Sequence, residues 1–315
     1  MNKEILIVGS GPMAIDYAKI LLAQDIDFNV VGRGKESAAK FQLETGKMPY
    51  IGGLEKYLND KTLSPNTYVI IATGTEVLME SLLLVLEKGA SKVLIEKPAA
   101  ISIGELITNK NKLEPYFDNV FVAYNRRFYA SVIEAKKMID EDGGLQTIHF
   151  EFTEWAHKIE PLEKAAGVKE NWFFANSTHV IDLAFYLGGK PEKWEAYSKA
   201  GALKWHSKTN FTGAGITDKG VLFSYLSNWE SAGRWAIELL TNSRRIYLKP
   251  MESISIQEKG TIAVIEKEFD NSLDLQFKPG LKKQLVAYLN DDEADLLNLR
   301  DHFYLSKEVY LKIIS

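Results

Sequence analysis

The sequence predicts an α/β Rossmann domain, a doubly wound parallel sheet, followed by an α+β domain with an open, mostly antiparallel sheet. Three observations lead there. Short Val- and Ile-rich runs alternate with helical stretches over the first ~125 residues. A G-x-G-x-x-A turn follows the first of these runs directly. Beyond Tyr124 the apolar runs lengthen, alternate with polar residues and are joined by turn signals. Residues 1–123 are therefore expected to form the nucleotide-binding domain and 124–315 the substrate-binding and oligomerisation domain.

Strands are expected at Ile5–Val8, Phe28–Val31, Tyr68–Ile71, Val93–Ile95 and Val120–Ala123. All are short and almost free of charge, as strands buried on both faces should be. Helices are expected between them at 12–24, 36–45, 76–88 and 102–114, with Gly89 as a left-handed stop. In the second half, a helix over Ser131–Asp142 precedes strands at Thr147–Trp155, Trp194–Ala200, Val221–Trp229, Trp235–Leu240, Arg245–Leu248 and Ser253–Gln257. A helical region over Asp291–Ile314 closes the chain.

Composition narrows the function classes. A chain of 315 residues with 46% hydrophobic and 25% charged residues buries a core, and its length favours two domains. A net charge of −4 argues against a nucleic-acid groove and against attraction to anionic membranes. No apolar run reaches the ~18 residues a membrane helix needs. MNKEILIVGSG lacks the features of a signal peptide, so cytoplasmic residence is expected. Zero cysteines exclude disulfides, thiol nucleophiles and thiolate metal sites. His149, His206 and His302 show no grouping with carboxylates, and no metal is expected.

In Gly9-Ser10-Gly11-Pro12-Met13-Ala14, Gly9 allows the tight turn and Gly11 lets a pyrophosphate approach the backbone. Ala14 lets the helix pack close, and the helix N-terminus offers N–H groups and partial positive charge. The second strand ends at Arg33, with Lys35 and Ser37 beside it, where an NAD site usually carries an acid. A cation there suits a 2′-phosphate, so NADP is expected ahead of NAD. Ala72-Thr73-Gly74 ends another strand with small residues that leave room for the cofactor.

Val93–Ile95 delivers Glu96-Lys97-Pro98 to the carboxyl edge of the sheet. A positioned, partly desolvated lysine can hold or shuttle a hydroxyl proton, and Pro98 restricts its conformation. Further along, Asn176 or Ser177 reads as the N-cap of a helix that stops at Gly188-Gly189. His179 and Asp182 stand at i, i+3 on it, so the carboxylate is expected to orient the imidazole.

VGSGPMA at 8–14, IIATGTEVLMESLLLVLEKGASKVLIEKPAA at 70–100, AYNRRFY at 123–129 and THVIDLAFYLGGKP at 178–191 carry a resemblance over nearly the whole chain. The chain resembles the glucose–fructose oxidoreductase/inositol dehydrogenase (Gfo/Idh/MocA) family. The resemblance implies the two-domain fold, a nicotinamide cofactor and a sugar, cyclitol or nucleotide-sugar substrate. It also implies a homodimer or homotetramer paired through the open sheet. Trp194, Trp229 and Trp235 suit such an interface and suit a core equally well.

By the same resemblance Lys97 stands in the place of the family's catalytic lysine, and Tyr124, Asn125 and Arg127 fall on a cleft-lining segment. The family's Asp-x-Gly-x-His-x-x-Asp segment matches here only at His179 and Asp182; Ala175 replaces the first aspartate and Ser177 the glycine. Three readings follow. Asn176 supplies a substrate hydrogen bond while Lys97 and His179 handle the proton; or the substrate is a carbonyl or imine that needs less help; or the chain binds cofactor without turnover. The rivals are thus a cofactor-binding sensor or scaffold, and a glycosidase working by NAD-dependent oxidation and elimination. Trp155 and His157, expected on one strand face, complete the candidate substrate residues.

Overall fold

The computed structural model describes residues 3–315. The chain divides into two compact units: residues up to Tyr124 together with Leu281–Tyr304, and Asn125–Gly280 together with Leu305–Ser315.

In the first unit, β1 (Glu4–Val8), β2 (Asn29–Gly32), β3 (Tyr50–Ile51), β4 (Thr67–Ile71), β5 (Lys92–Ile95) and β6 (Val120–Val122) form a parallel sheet in the order β6-β5-β4-β1-β2-β3. The reversal of order at β1 and β4 is where ligands bind in such sheets. Ile7, Val69–Ile71 and Val93–Ile95 are wholly enclosed, which explains their uninterrupted apolar character. The sheet is covered by α1 (Pro12–Leu22), α2 (Lys35–Thr45), α3 (Leu54–Asp60), α4 (Leu78–Glu87), α5 (Ile103–Thr108) and α6 (Lys110–Leu113). Gly89 follows α4 at φ +85°, the left-handed stop its position predicts.

The second unit contains α7 (Ala130–Glu141), β7 (Thr147–Glu151), α8 (Ala156–Ile159), a π-helical turn over Phe173–Ser177 and α9 (Thr178–Gly188). Then come β8 (Pro191–Lys199), β9 (Asn210–Thr217), β10 (Leu222–Asn228), β11 (Ala236–Leu240), β12 (Arg244–Leu248), β13 (Ser255–Glu258), β14 (Ile265–Glu266) and α10 (Ser272–Gln276). The eight strands lie in the order β14-β13-β12-β11-β7-β10-β9-β8. All neighbours are antiparallel except β7 and β10. Ile148, Phe150, Phe223, Tyr225, Ile237, Leu239 and Ile246 share the buried face, against which α7 and α9 pack. Tyr197, Leu222 and Leu226 stand on the other face and are 67%, 55% and 44% exposed.

The chain then returns to the first unit through α11 (Leu281–Leu289), β15 (Leu297–Asn298) and α12 (Leu299–Tyr304), before a π-helical turn (Leu305–Tyr310) and α13 (Leu311–Ile314) rejoin the second. β15 pairs antiparallel with β6 and closes that edge of the parallel sheet. Tyr288 Oη lies 3.0 and 2.9 Å from the carbonyls of Val69 and Lys92, and Lys92 Nζ contacts Asp291 at 2.7 Å and Glu293 at 2.6 Å. The expected assignment of 124–315 to one domain differs from this division, which places Tyr124 and Leu281–Tyr304 with the first unit.

Other expectations also need correction. The strand expected over Thr147–Trp155 ends at Glu151, opposite Ala236 where β11 begins. Residues 156–159 turn helical, so Trp155 and His157 do not share a strand face. β9 escapes prediction because Gly213 and Gly215 interrupt its pattern. A Cβ at Gly213 would lie 2.5 Å from the Tyr225 ring, and one at Gly215 would lie 2.2 Å from Trp194 Cβ. Trp229 and Trp235 are 2% and 7% exposed, and Trp194 is half-buried, so the open face offers Tyr197, Leu222 and Leu226 rather than the tryptophans.

Candidate functional site: a glycine-lined pocket and a buried polar cluster

The first unit carries a pocket of about 740 Å³ at the carboxyl ends of its strands, lined among others by Gly9–Met13, Arg33, Ser37, Ala72, Thr73, Gly74 and Glu76. Gly9 adopts φ +115°, and a Cβ there would lie 2.3 Å from the carbonyl oxygen of Ala72, so glycine is required twice over. Gly11 is different. Its backbone is extended (φ −84°, ψ −173°), and a Cβ would meet nothing within 4 Å. Its bareness leaves space rather than relieving a clash. Pro12 opens α1 without wasting a donor, and the helix presents its positive end to the pocket wall.

Ser10 is buried and donates through Oγ to Ser37 Oγ at 2.9 Å; Ser37 donates on to the Gly34 carbonyl at 3.2 Å. These bonds tie the turn after β1 to the turn after β2. Arg33 is exposed at the pocket wall and makes no ion pair among the described residues. Thr73 Oγ1 is enclosed and has no hydrogen-bond partner among them. An unmatched hydroxyl, an open glycine and a helix N-terminus on one wall fit the diphosphate and ribose of a dinucleotide.

β5 ends one residue before Glu96. The Tyr17 hydroxyl donates to Glu96 Oε1 at 2.9 Å, which directs that carboxylate to α1. Burial and the Glu96 charge push the Tyr17 hydroxyl well above its usual pKa, so it stays a donor. The Glu96 carbonyl accepts from Ala99 N at 3.0 Å, and His302 Nε2 lies 2.9 Å from the carbonyl of Pro98. Lys97, half-buried, is thus held between two anchored neighbours; the Lys97–Pro98 bond is cis. Tyr124 is buried, its ring centroid 5.7 Å from that of His302.

In the second unit, backbone helicity begins before the expected cap. Ser177 already has helical dihedrals (φ −64°, ψ −26°), and neither it nor Asn176 caps α9. Their side chains turn to a carboxylate that the sequence reading did not single out. Asn176 Nδ2 donates to Glu154 Oε1 and Oε2 at 3.0 and 3.1 Å, and Ser177 Oγ donates to Oε1 at 2.8 Å. Glu154 is 1% exposed, and burial raises its pKa, partly offset by Ser177, Arg234 and Asn176. Its only sequence signal is an acid just past a strand end, too common to stand out.

Asp182 serves Arg127 instead of orienting His179. Arg127 Nε and Nη2 donate to its two oxygens at 2.9 and 2.6 Å, with both side chains buried. The i, i+3 spacing brought His179 and Asp182 near each other, but a guanidinium fork outcompetes an imidazole for both carboxylate oxygens. His179 is buried, its ring centroid 6.0 Å from that of Trp235. Asn125 Nδ2 donates to the Pro279 carbonyl at 2.9 Å. Trp155 is exposed, donates to the Gly233 carbonyl at 2.9 Å and lies under Arg234; His157 is exposed, its ring centroid 6.3 Å away.

No family model and no curated protein matches the chain by sequence. Solved structures do match its fold. A dehydrogenase from Chromobacterium violaceum is 18% identical, with 99% of this chain and 94% of that one covered at a TM-score of 0.75. Levoglucosan dehydrogenase, in complex with NADH and L-sorbose, is 17% identical over 100% and 96% of the two chains, at 0.74. UDP-N-acetylglucosamine 3-dehydrogenase from Acidithiobacillus ferrooxidans is 13% identical over 99% and 97%, at 0.69. No helix of the described residues is long and apolar enough to cross a membrane. The chain has the two-domain fold of the Gfo/Idh/MocA-type dehydrogenases.

Proposed function

We propose that the protein is an NAD(P)-dependent oxidoreductase acting on a hydroxyl or carbonyl carbon of a sugar-like substrate. The observation that carries this reading is the pocket of the first unit, where Gly11 leaves space and Thr73 Oγ1 waits for a partner. A bound nicotinamide dinucleotide supplies the hydride donor or acceptor. The turn after β1 and the start of α1 would hold its phosphates, and Ser10, Ser37 and Arg33 would serve its adenosine end. An exposed guanidinium with no internal carboxylate supports NADP ahead of NAD. Levoglucosan dehydrogenase was solved with NADH, so NAD stays the alternative to NADP.

Lys97 Nζ and His179 are the proton-handling groups of this proposal, giving the proton in reduction and taking it in oxidation. The absence of an aspartate at Ala175 is answered in part by Glu154. A carboxylate only accepts, so it fixes Asn176 with its amide nitrogen inward and its carbonyl oxygen free to accept from a substrate hydroxyl. This favours the reading in which Asn176 contacts substrate over the reading of a fold without chemistry. Incubation with NADPH or NADH and a panel of sugars, ketoses and sugar acids tests it through the reduced-nicotinamide absorbance. Tight cofactor binding with no turnover across the panel would support the sensor instead.

The exposed Tyr197, Leu222 and Leu226 on the open sheet face support pairing of two copies there. Sedimentation of wild type and Leu226→Lys distinguishes a dimer from a monomer.

A further inference from the structure

Around Trp235 the second unit gathers cations without enough anions to match. The guanidinium carbon of Arg126 lies 4.6 Å from the Trp235 ring centroid, and that of Arg234 lies 4.7 Å from it. The His179 ring stands beside the same indole. Arg234 is 44% exposed and has a carboxylate within reach, Glu154 at 3.6 Å. Arg126 has none. Its side chain makes no hydrogen bond or ion pair among the described residues, and its Nε is enclosed without an acceptor. Trp235 Nε1 is enclosed in the same way.

Desolvating a guanidinium without a counter-charge is costly. Burial lowers the pKa of Arg126, while Tyr129, Glu252 and Glu154 act on it only through space. Stacking on Trp235, and on Tyr129 at 5.7 Å, offsets some of this cost. A second cation on the same ring works against it. Packing alone at this half-buried position would be served as well by methionine, with no charge to desolvate. The arrangement makes sense if the missing anion arrives with the ligand, since a planar fork of donors matches a carboxylate or phosphate.

We infer that Arg126, assisted by Arg234, receives an oxyanion carried by the substrate, so that the preferred sugar is acidic, a sugar acid or a sugar phosphate, rather than neutral. This rests on the reading of the second unit as the substrate domain. It adds a residue, Arg126, that the Arg126-Arg127 pair concealed, because Arg127 is committed to Asp182.

The test is calorimetric titration of wild type, Arg126→Met and Arg126→Lys with D-glucuronate, D-glucose 6-phosphate and D-glucose, without cofactor and again with NADPH. At least one acidic sugar should bind wild type ten or more times tighter than glucose. Which one it is separates the carboxylate from the phosphate. Arg126→Met should erase that preference at unchanged Tm, and Arg126→Lys, which keeps the charge, should retain part of it. The inference is overturned if glucose binds as tightly, if neither acid binds, or if the acids bind Arg126→Met as they bind wild type. Should Arg126→Met fail to fold, Arg126→Lys decides: an undiminished preference counts against the guanidinium. Failure of the oxidoreductase reading is a different result, namely no NADPH binding by wild type while the sugar titrations stand.

Discussion

Asn176 donates its amide nitrogen to both carboxylate oxygens of Glu154, at 3.0 and 3.1 Å. Two residues that are 22 apart in the chain thereby become one unit. The carboxylate accepts, the amide donates, and the Asn176 carbonyl oxygen is left as the acceptor that can meet a ligand.

Glu154 should make stability depend on pH in an unusual direction. Its pKa is raised in the folded state, chiefly by burial, so the folded protein holds that proton more tightly than the unfolded chain does. That contribution is fully present below the unfolded value, near ~4.3, and is lost as pH rises through the folded one. Calorimetry of wild type and Glu154→Gln should therefore show wild type losing ground to the variant as pH rises above about 4. A Tm difference independent of pH would remove the argument.

The Arg127–Asp182 pair is both buried and bidentate, so removing one partner strands the other. Arg127→Ala should cost about 3–5 kcal/mol in urea unfolding. Asp182→Ala on that background should add much less than it costs alone. Additive losses would mean that the two side chains are not coupled.

What could be read in advance follows range of interaction. The glycine turn, the buried strand runs, Gly89 and the Gly188-Gly189 stop are local, and their backbone demands show in residue identity alone. Glu154, the Arg127–Asp182 fork and the return of 281–304 to the first unit depend on partners far away in the chain. The i, i+3 rule correctly placed His179 and Asp182 on one helix, yet it could not foresee a guanidinium from residue 127. Gly213 and Gly215 hid β9 because their reason for being glycine lies in Tyr225 and Trp194 on neighbouring strands.

Lys97 should matter for turnover more than for binding. Lys97→Met is expected to lower kcat by about 10²-fold or more while leaving NADPH affinity within a few-fold. Steady-state kinetics beside a fluorescence titration separates the two quantities. Unaltered turnover would remove Lys97 from the chemistry.

Arg33 sets the expected cofactor preference. Replacing it with aspartate should shift selectivity from NADPH toward NADH by about tenfold or more, since attraction for a 2′-phosphate becomes repulsion. A wild type that already prefers NADH would reverse the assignment.

Gly11→Val tests the central claim most directly. The Gly11 backbone is extended, and a Cβ there would meet nothing within 4 Å, so the fold should tolerate a substitution. The dinucleotide should. Fluorescence titration with NADPH and NADH is expected to show binding to wild type and at least a tenfold loss in Gly11→Val at unchanged Tm. Wild type that binds neither cofactor, or a folded variant that binds as well as wild type, would contradict the account.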